Sequence, residues 1–151
     1  MVFKNEIRSE AMIDATSEEV WSVLADFGSY GEWNPGFASI EGCAETGTTL
    51  DIAFSLKGDR TMRMRPTVLV AEPGRELRWL GRLLVPGLFD GEHRFEIQED
   101  GPGHVRFVQG ERFRGLLVPF LRTMVEVDTL AMFERVNAAL ATRVAELRRR
   151  V

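Results

Sequence analysis

Polar and apolar residues alternate through NEIRSEAMID, residues 5–14. Ile7, Ser9, Ala11 and Ile13 fall on one side, and Arg8, Glu10 and Met12 on the other. A period of two predicts a half-buried strand. The period then changes. In ATSEEVWSVLAD, Trp21, Leu24 and Ala25 recur at i, i+3 and i+4, which predicts a helix with one apolar stripe. Thr16 followed three residues later by Glu19 is a capping-box spacing, in which each side chain satisfies a backbone N–H left free at the helix start. Phe27–Trp33 reads as a second short helix. Pro35 stops it, because the residue before a proline is pushed out of the helical region.

From residue 37 to residue 113 the pattern is short strands parted by turn residues. FASIEGCAE and TTLDIAFSL flank Thr46-Gly47. KGDR is a turn. TMRMRPTVLVAE runs to Pro73-Gly74, RELRWLGR passes through LLVPG into LFDGEHRFEIQ, and EDGPG leads to HVRFVQGERF. Six such strands joined by short turns predict an antiparallel meander. Pro66 inside one of them marks an edge or a bulge, since it has no N–H for a ladder bond. From Pro119 to Arg150 apolar residues return at helical spacing: Phe120, Met124, Val127, Ala131, Leu140, Val144 and Leu147. This predicts one long helix. Arg148, Arg149 and Arg150 suit its C-terminal end, where positive charge complements the dipole. A helix of that length must bury its stripe, and the only large apolar partner is the concave face of the sheet. The fold class is α+β: a curved seven-stranded antiparallel sheet wrapped around a long C-terminal helix, with two short helices after the first strand.

The last two strands fix which residues point inward. A loop of about DGPG pairs Ile97 with Phe107, Phe95 with Gln109 and His93 with Glu111. One face then carries Gly91, His93, Phe95, Ile97, Phe107, Gln109, Glu111 and Phe113. The other carries Glu92, Arg94, Glu96, Arg106 and Arg112, with Val108 and Gly110. The charged face must meet water, and a one-residue slip would bury the arginines. His93, Gln109 and Glu111 therefore point inward among aromatics. Directly opposed Cβ atoms lie about 4.5–5.5 Å apart, close enough for a charge-assisted hydrogen bond between His93 and Glu111. That pair is either a polar anchor for a ligand, a satisfied pair closing the sheet interior, or an acid–base couple. In RELRWLGR the same alternation sends Trp79 inward, as core or cavity wall. Gly81 and Gly91 fall on inward positions and leave space. Leu50, Ile52, Phe54 and Leu56 form a further apolar face, and Met62 and Met64 are core or adaptable wall. In GSYGEWNPGF, residues 28–37, Trp33 is an anchor for the short helix or a ligand contact, and Tyr30 and Phe37 stand near it.

Composition narrows the function classes. The chain has 151 residues, 44% of them hydrophobic, enough for one domain over residues 1–151 with a sizeable core. A net charge of -4 argues against a nucleic-acid partner, which calls for a basic stripe. No apolar run approaches the roughly 20 residues of a membrane span, and the N-terminus lacks a signal-peptide core. The cytoplasm is the expected location. Cys43 is the only cysteine, and with two histidines it offers no ligand set at metal-binding spacing. No metal and no cofactor is expected. Phosphate-loop, nucleophile-elbow and metalloprotease motifs are absent.

The element order, with IDATSEEVWSVLADFGSYGEWNP near the start, GEHRFEI and GERFRGLLVPFL later and a long helix last, resembles the START/birch-pollen-allergen-like superfamily. Within it the chain is similar to the bacterial polyketide cyclase/dehydrase-like and lipid-transport group, the SRPBCC class. The resemblance implies a helix-grip fold with a deep apolar cavity between sheet and C-terminal helix, and a hydrophobic, ring-containing or lipid-like ligand. It supplies no shared catalytic residues. The candidate ligand contacts are Trp79, His93, Phe95, Phe107, Gln109, Glu111 and Phe113 on the sheet, Phe54 on a neighbouring strand, Met124 on the long helix, and Trp33. The expected activity is binding or transport of a small hydrophobic molecule. The alternatives are a cyclase/dehydratase-type enzyme with His93 and Glu111 as acid and base, and an interaction domain like the Hsp90 activators. A homodimer stays open.

Overall fold

A computed structural model describes residues 5–55, 60–83 and 85–150. In chain order the elements are β1 (Glu6–Ile13), α1 (Ser17–Leu24), a 3-10 turn (Phe27–Ser29), α2 (Tyr30–Trp33), β2 (Phe37–Glu41), β3 (Asp51–Phe54), β4 (Met62–Met64), β5 (Thr67–Glu72), β6 (Glu76–Arg82), β7 (Asp90–Glu99) and β8 (Val105–Arg114). A C-terminal helical run follows and ends in α3 (Thr129–Arg149). All pairings are antiparallel, in a five-stranded sheet of order β1-β8-β7-β6-β5 and a three-stranded sheet of order β2-β3-β4. The α+β helix-grip architecture is the one the residue pattern predicts.

The described residues hold eight strands where the pattern predicts seven. TMRMRPTVLVAE is two strands, because Pro66 cannot donate to a ladder and interrupts it between β4 and β5. Its carbonyl still accepts, from Leu50 N–H at 2.8 Å. Val68 N–H donates to Thr48 O at 2.9 Å and Gly47 N–H to Val68 O at 2.8 Å. These bonds lace the free edge of β5 to the segment before β3, so the two sheets bend into one grip. Leu50, Ile52 and Phe54 are buried as expected; Leu56 and the turn at 57–59 lie outside the described residues.

β7 and β8 pair His93 with Glu111, Phe95 with Gln109 and Ile97 with Phe107. The outer face is a lattice of charges. Arg94 Nη2 donates to Glu6 Oε1 at 2.9 Å, and this bond holds the Glu6 carboxyl below its ordinary range.

The residues from Pro119 to Arg150 are not one regular helix. A 3-10 turn (Val118–Leu121) leads to a π-helical turn (Met124–Asp128) and then to α3. The Thr129 N–H reaches back to the Met124 carbonyl, and the Thr129 hydroxyl donates to the same oxygen at 3.0 Å. A π turn spends an extra residue per turn and shifts the phase of everything before it relative to α3. Phe120 and Val127, expected on the apolar stripe, are 82% and 59% exposed. At about 100° per residue both fall on the face opposite Leu140, so the expected residues do not share one stripe even in a regular helix. Val125, Met132, Phe133 and Val136 take the buried face, with Leu140 and Val144 as expected. In α1 the capping box forms, and Val20, Val23 and Leu24 are buried, with Trp21 only half-buried.

α2 is held by aromatics. Tyr30 is fully buried, meets Phe27 and Trp33 edge-on, and its hydroxyl donates to the Leu24 carbonyl. Asn34 Oδ1 then accepts from Gly36 and Phe37 N–H at 2.9 and 2.8 Å, turning the chain into β2. Gly36 lets α3 pack closely there: a Cβ would lie 2.5 Å from the Met132 sulfur and 3.1 Å from a Val136 methyl group. No described helix is long and apolar enough to cross a membrane.

Two measurements check this packing. Phe133→Ala is expected to cost about 3–5 kcal/mol in urea unfolding, and Phe120→Ala about 0.5 kcal/mol or less; similar costs at both sites would contradict this facing of the helical run. Burial raises the Tyr30 phenol far above its ordinary value of 10.0, with the Asp26 charge adding to the effect. The unfolded chain ionises near that value and the folded one does not, so folded stability is full below it and falls as pH rises past it. The chain has one tyrosine, so alkaline titration should show tyrosinate absorbance appearing only together with loss of circular dichroism.

Candidate functional site: a cavity between sheet and helix

A cavity of about 50 Å³ opens between the inner sheet face and the helical run. Trp79 and Gly81 of β6, Gly91 of β7, and Glu111 and Phe113 of β8 form its floor. Phe37, Phe54, Met62 and Met64 close one side, and Leu83 and Phe89 border the other. Met124, Thr129 and Met132 cover it. The polar side-chain groups of the wall residues are the Glu111 carboxyl, the Thr129 hydroxyl, which is turned to its own helix, and the buried Trp79 indole N–H, which has no hydrogen-bond partner among the described residues. Four of the chain's six methionines line it, and their unbranched thioethers repack with little strain.

Glu111 reaches the cavity because two glycines face each other across β6 and β7, Gly81 opposite Gly91. A Cβ on Gly91 would stand 2.3 Å from Glu111 Oε2. The other carboxyl oxygen, Oε1, is 2.7 Å from His93 Nδ1. His93 is 1% exposed and lies behind the carboxyl. It stacks on Trp79 with centroids 5.2 Å apart, and meets Phe37 and Phe133 edge-on at 5.5 and 4.9 Å. Its Nε2 contacts Gln109 Oε1 at 3.0 Å. Gln109 Nε2 donates to Asn137 Oδ1 at 2.8 Å, and Asn137 Nδ2 to Ser9 Oγ at 3.1 Å. A buried polar chain thus runs from the cavity wall to β1, with every link paired; an unpaired member would cost about 1–3 kcal/mol.

Of the ten candidate contacts, Trp79, Glu111, Phe113, Phe54 and Met124 line the cavity. His93 and Gln109 form the supporting chain behind it. Phe95 and Phe107 lie deeper in the core, stacked on each other at 6.0 Å. Trp33 packs on Tyr30, away from the lining, whereas Phe37 from the same stretch is in it. Leu83, Phe89, Thr129 and Met132 join the wall without having been singled out. Thr129 and Met132 belong to α3 and are buried with Phe133 and Leu140; the expected stripe missed them by running through Val127 and Ala131 on the other side of the helix. Among the described residues no cluster of three or more His, Cys, Asp or Glu could hold a metal ion.

No curated protein matches the chain. Solved structures match closely in shape. A START superfamily protein from Mycobacterium smegmatis has a TM-score of 0.78 at 20% identity, covering 95% of this chain and 99% of that one. The Zhui aromatase/cyclase from Streptomyces sp. R1128 has a TM-score of 0.73 at 16% identity, covering 93% of each chain. Norcoclaurine synthase from Thalictrum flavum, solved with dopamine and hydroxybenzaldehyde, has a TM-score of 0.70 at 16% identity, covering 96% of this chain and 88% of that one. At these identities the likeness concerns the fold. The sequence itself carries the family: residues 4–145 match the family described as polyketide cyclase / dehydrase and lipid transport, and the chain belongs to it.

Proposed function

We propose that the protein binds a small, ring-containing hydrophobic molecule in the cavity under the C-terminal helices, with the Glu111 carboxyl as its polar anchor. The observation that carries this reading is an apolar wall with a single ionisable group, held in place by a fully bonded support. That is the pattern of small-molecule sites, where a few placed polar groups orient an apolar body. The names of two neighbours, an aromatase/cyclase and a synthase solved with two small aromatic compounds, support a ring-shaped occupant. The cavity is tighter than the roughly 300–1,000 Å³ of most ligand sites. The ligand therefore enters by displacing methionine side chains from the wall, and Met62, Met64, Met124 and Met132 can yield without breaking a hydrogen bond.

The 2.7 Å contact of His93 with Glu111 favours a second reading, a cyclase/dehydratase-type enzyme in which Glu111 moves a proton and His93 positions it. Native mass spectrometry of the purified protein, searching for a co-purified molecule and for its conversion on incubation, separates carrier from enzyme. Turnover that Glu111→Gln abolishes while affinity survives would favour the enzyme.

Filling the cavity gives the direct test. Gly81→Leu places a side chain against Met64, where a Cβ meets the sulfur at 3.2 Å. The variant is expected to bind 4-methylbenzyl alcohol at least roughly tenfold more weakly by calorimetry, a change of about 1.4 kcal/mol, while Phe120→Ala leaves affinity unchanged. Undiminished affinity in a folded Gly81→Leu protein would place the ligand elsewhere.

Gly91→Ala offers a separate check on the anchor. Its Cβ displaces the carboxyl from its position 2.7 Å from His93, so the His93 ring resonances should shift markedly. If they do not move, Glu111 is not held as described.

A further inference from the structure

The amide chain behind the cavity decides which proton His93 carries. One end of the Gln109 amide faces α3, 2.8 Å from Asn137 Oδ1 and 3.4 Å from the main-chain carbonyl oxygen of Phe133. A main-chain carbonyl only accepts, so the nitrogen of Gln109 must point there. The reversed amide would set two carbonyl oxygens against each other. The Gln109 oxygen therefore faces His93 Nε2 at 3.0 Å, and Nε2 must donate. Asn137 follows in the same sense, accepting at Oδ1 and donating from Nδ2 to Ser9 Oγ.

With Nε2 committed as a donor, the 2.7 Å contact between His93 Nδ1 and Glu111 Oε1 needs one more proton. Either Nδ1 carries it and Glu111 is a carboxylate, or Oε1 carries it and the ring is neutral. Both arrangements give the pair a net charge of zero. Without that proton, two lone pairs would face each other in a site where electrostatic forces are poorly screened. No cationic side chain stands in the described cavity lining to offset such a charge. The side chains packed on His93 are Phe37 from β2, Trp79 from β6, Phe95 from β7 and Phe133 from α3. The β1 residue opposite Glu111 is Ile7, and Glu111 is the one ionisable side chain in the described cavity lining.

We infer that Glu111 and His93 share one proton and face the cavity as a neutral unit, so that the site prefers an apolar molecule bearing an uncharged hydroxyl or carbonyl over the carboxylate or amine of the same skeleton. This rests on the cavity being the binding site. The atom that meets the ligand is Glu111 Oε2, the oxygen beside Gly91. An ammonium group would drive the shared proton off and leave the lone pairs opposed. A carboxylate would require a second proton on the pair. Charged ligands thus exchange about one proton with solvent on binding, and neutral ones exchange none.

Calorimetry in two buffers of different ionisation enthalpy, at pH 7, tests this with 4-methylbenzyl alcohol, 4-methylbenzoate and 4-methylbenzylamine. The alcohol is expected to bind at least tenfold more tightly and without proton exchange. The benzoate should take up close to one proton, and Glu111→Gln should abolish that uptake. Charged probes that bind as tightly as the alcohol with no proton exchange would overturn the inference while leaving the binding site intact. If no probe binds, the binding reading falls and the ligand preference falls with it. The proton assignment is then judged directly by ¹⁵N spectra of the ligand-free protein. The chain has two histidines, and exposed His104 can be removed as His104→Gln to leave His93 alone. A protonated Nε2 is expected; an unprotonated Nε2 with the proton on Nδ1 would make the pair anionic and overturn the assignment.

Discussion

One face of the β7–β8 hairpin is built from Glu92, Arg94, Glu96, Arg106 and Arg112, and it can only lie in water. That single requirement orients the interior. Charged side chains that were buried would lose several kcal/mol each in hydration, so the hairpin has one allowed facing, and ion pairs such as Arg94 with Glu6 complete the outer surface. The opposite face then carries Phe95, Phe107 and Phe113 together with three polar residues, His93, Gln109 and Glu111. Those three must be satisfied inside the protein, and α3 and β1 supply the partners Asn137 and Ser9.

The same polar chain explains why the interior is open in one place. A close-packed core would leave no reason for facing glycines at Gly81 and Gly91. Their missing side chains make room for the Glu111 carboxyl, and the carboxyl in turn prevents the aromatic floor from closing over it. The result is a small apolar space with one ionisable wall group of fixed position. Rigid support on one side, from strands and the amide chain, meets yielding cover on the other, from methionines and the π turn. A π turn disturbs the regular helix where it crosses the cavity, and such turns are frequent at functional sites.

The family has a fold that serves many purposes, so its membership alone does not name a ligand. In this chain the single ionisable group of the described wall is a carboxyl held by His93. A surface carboxylate would simply attract cations. Here the orientation of Gln109, set by a carbonyl of α3, passes through His93 and decides the charge seen by anything entering the cavity. The chemistry of the site therefore depends on a residue, Gln109, that does not touch the cavity.

Most of the architecture is written in residue periodicity. Alternation in β1, β6, β7 and β8, the capping box at Thr16 and Glu19, and the apolar repeat at Leu140 and Val144 are local or nearest-neighbour properties, and each follows from which face a side chain occupies. The His93–Glu111 pairing follows the same logic, because charge on one face leaves no second register. Three features depended on tertiary structure. The π turn at Met124–Asp128, which no local residue pattern announces, breaks the expected single helix; the exposure of Phe120 and Val127 did not need it, because both fall opposite Leu140 at helical spacing. Pro66, which has no N–H for a ladder bond, split one predicted strand into β4 and β5, and only the approach of the two sheets gave its carbonyl a partner in Leu50. The division between cavity wall and support, with Glu111 in front and His93, Gln109, Phe95 and Phe107 behind, required the depth of the fold. Periodicity determines the face a residue takes; only the packing of distant elements determines how far behind that face it lies.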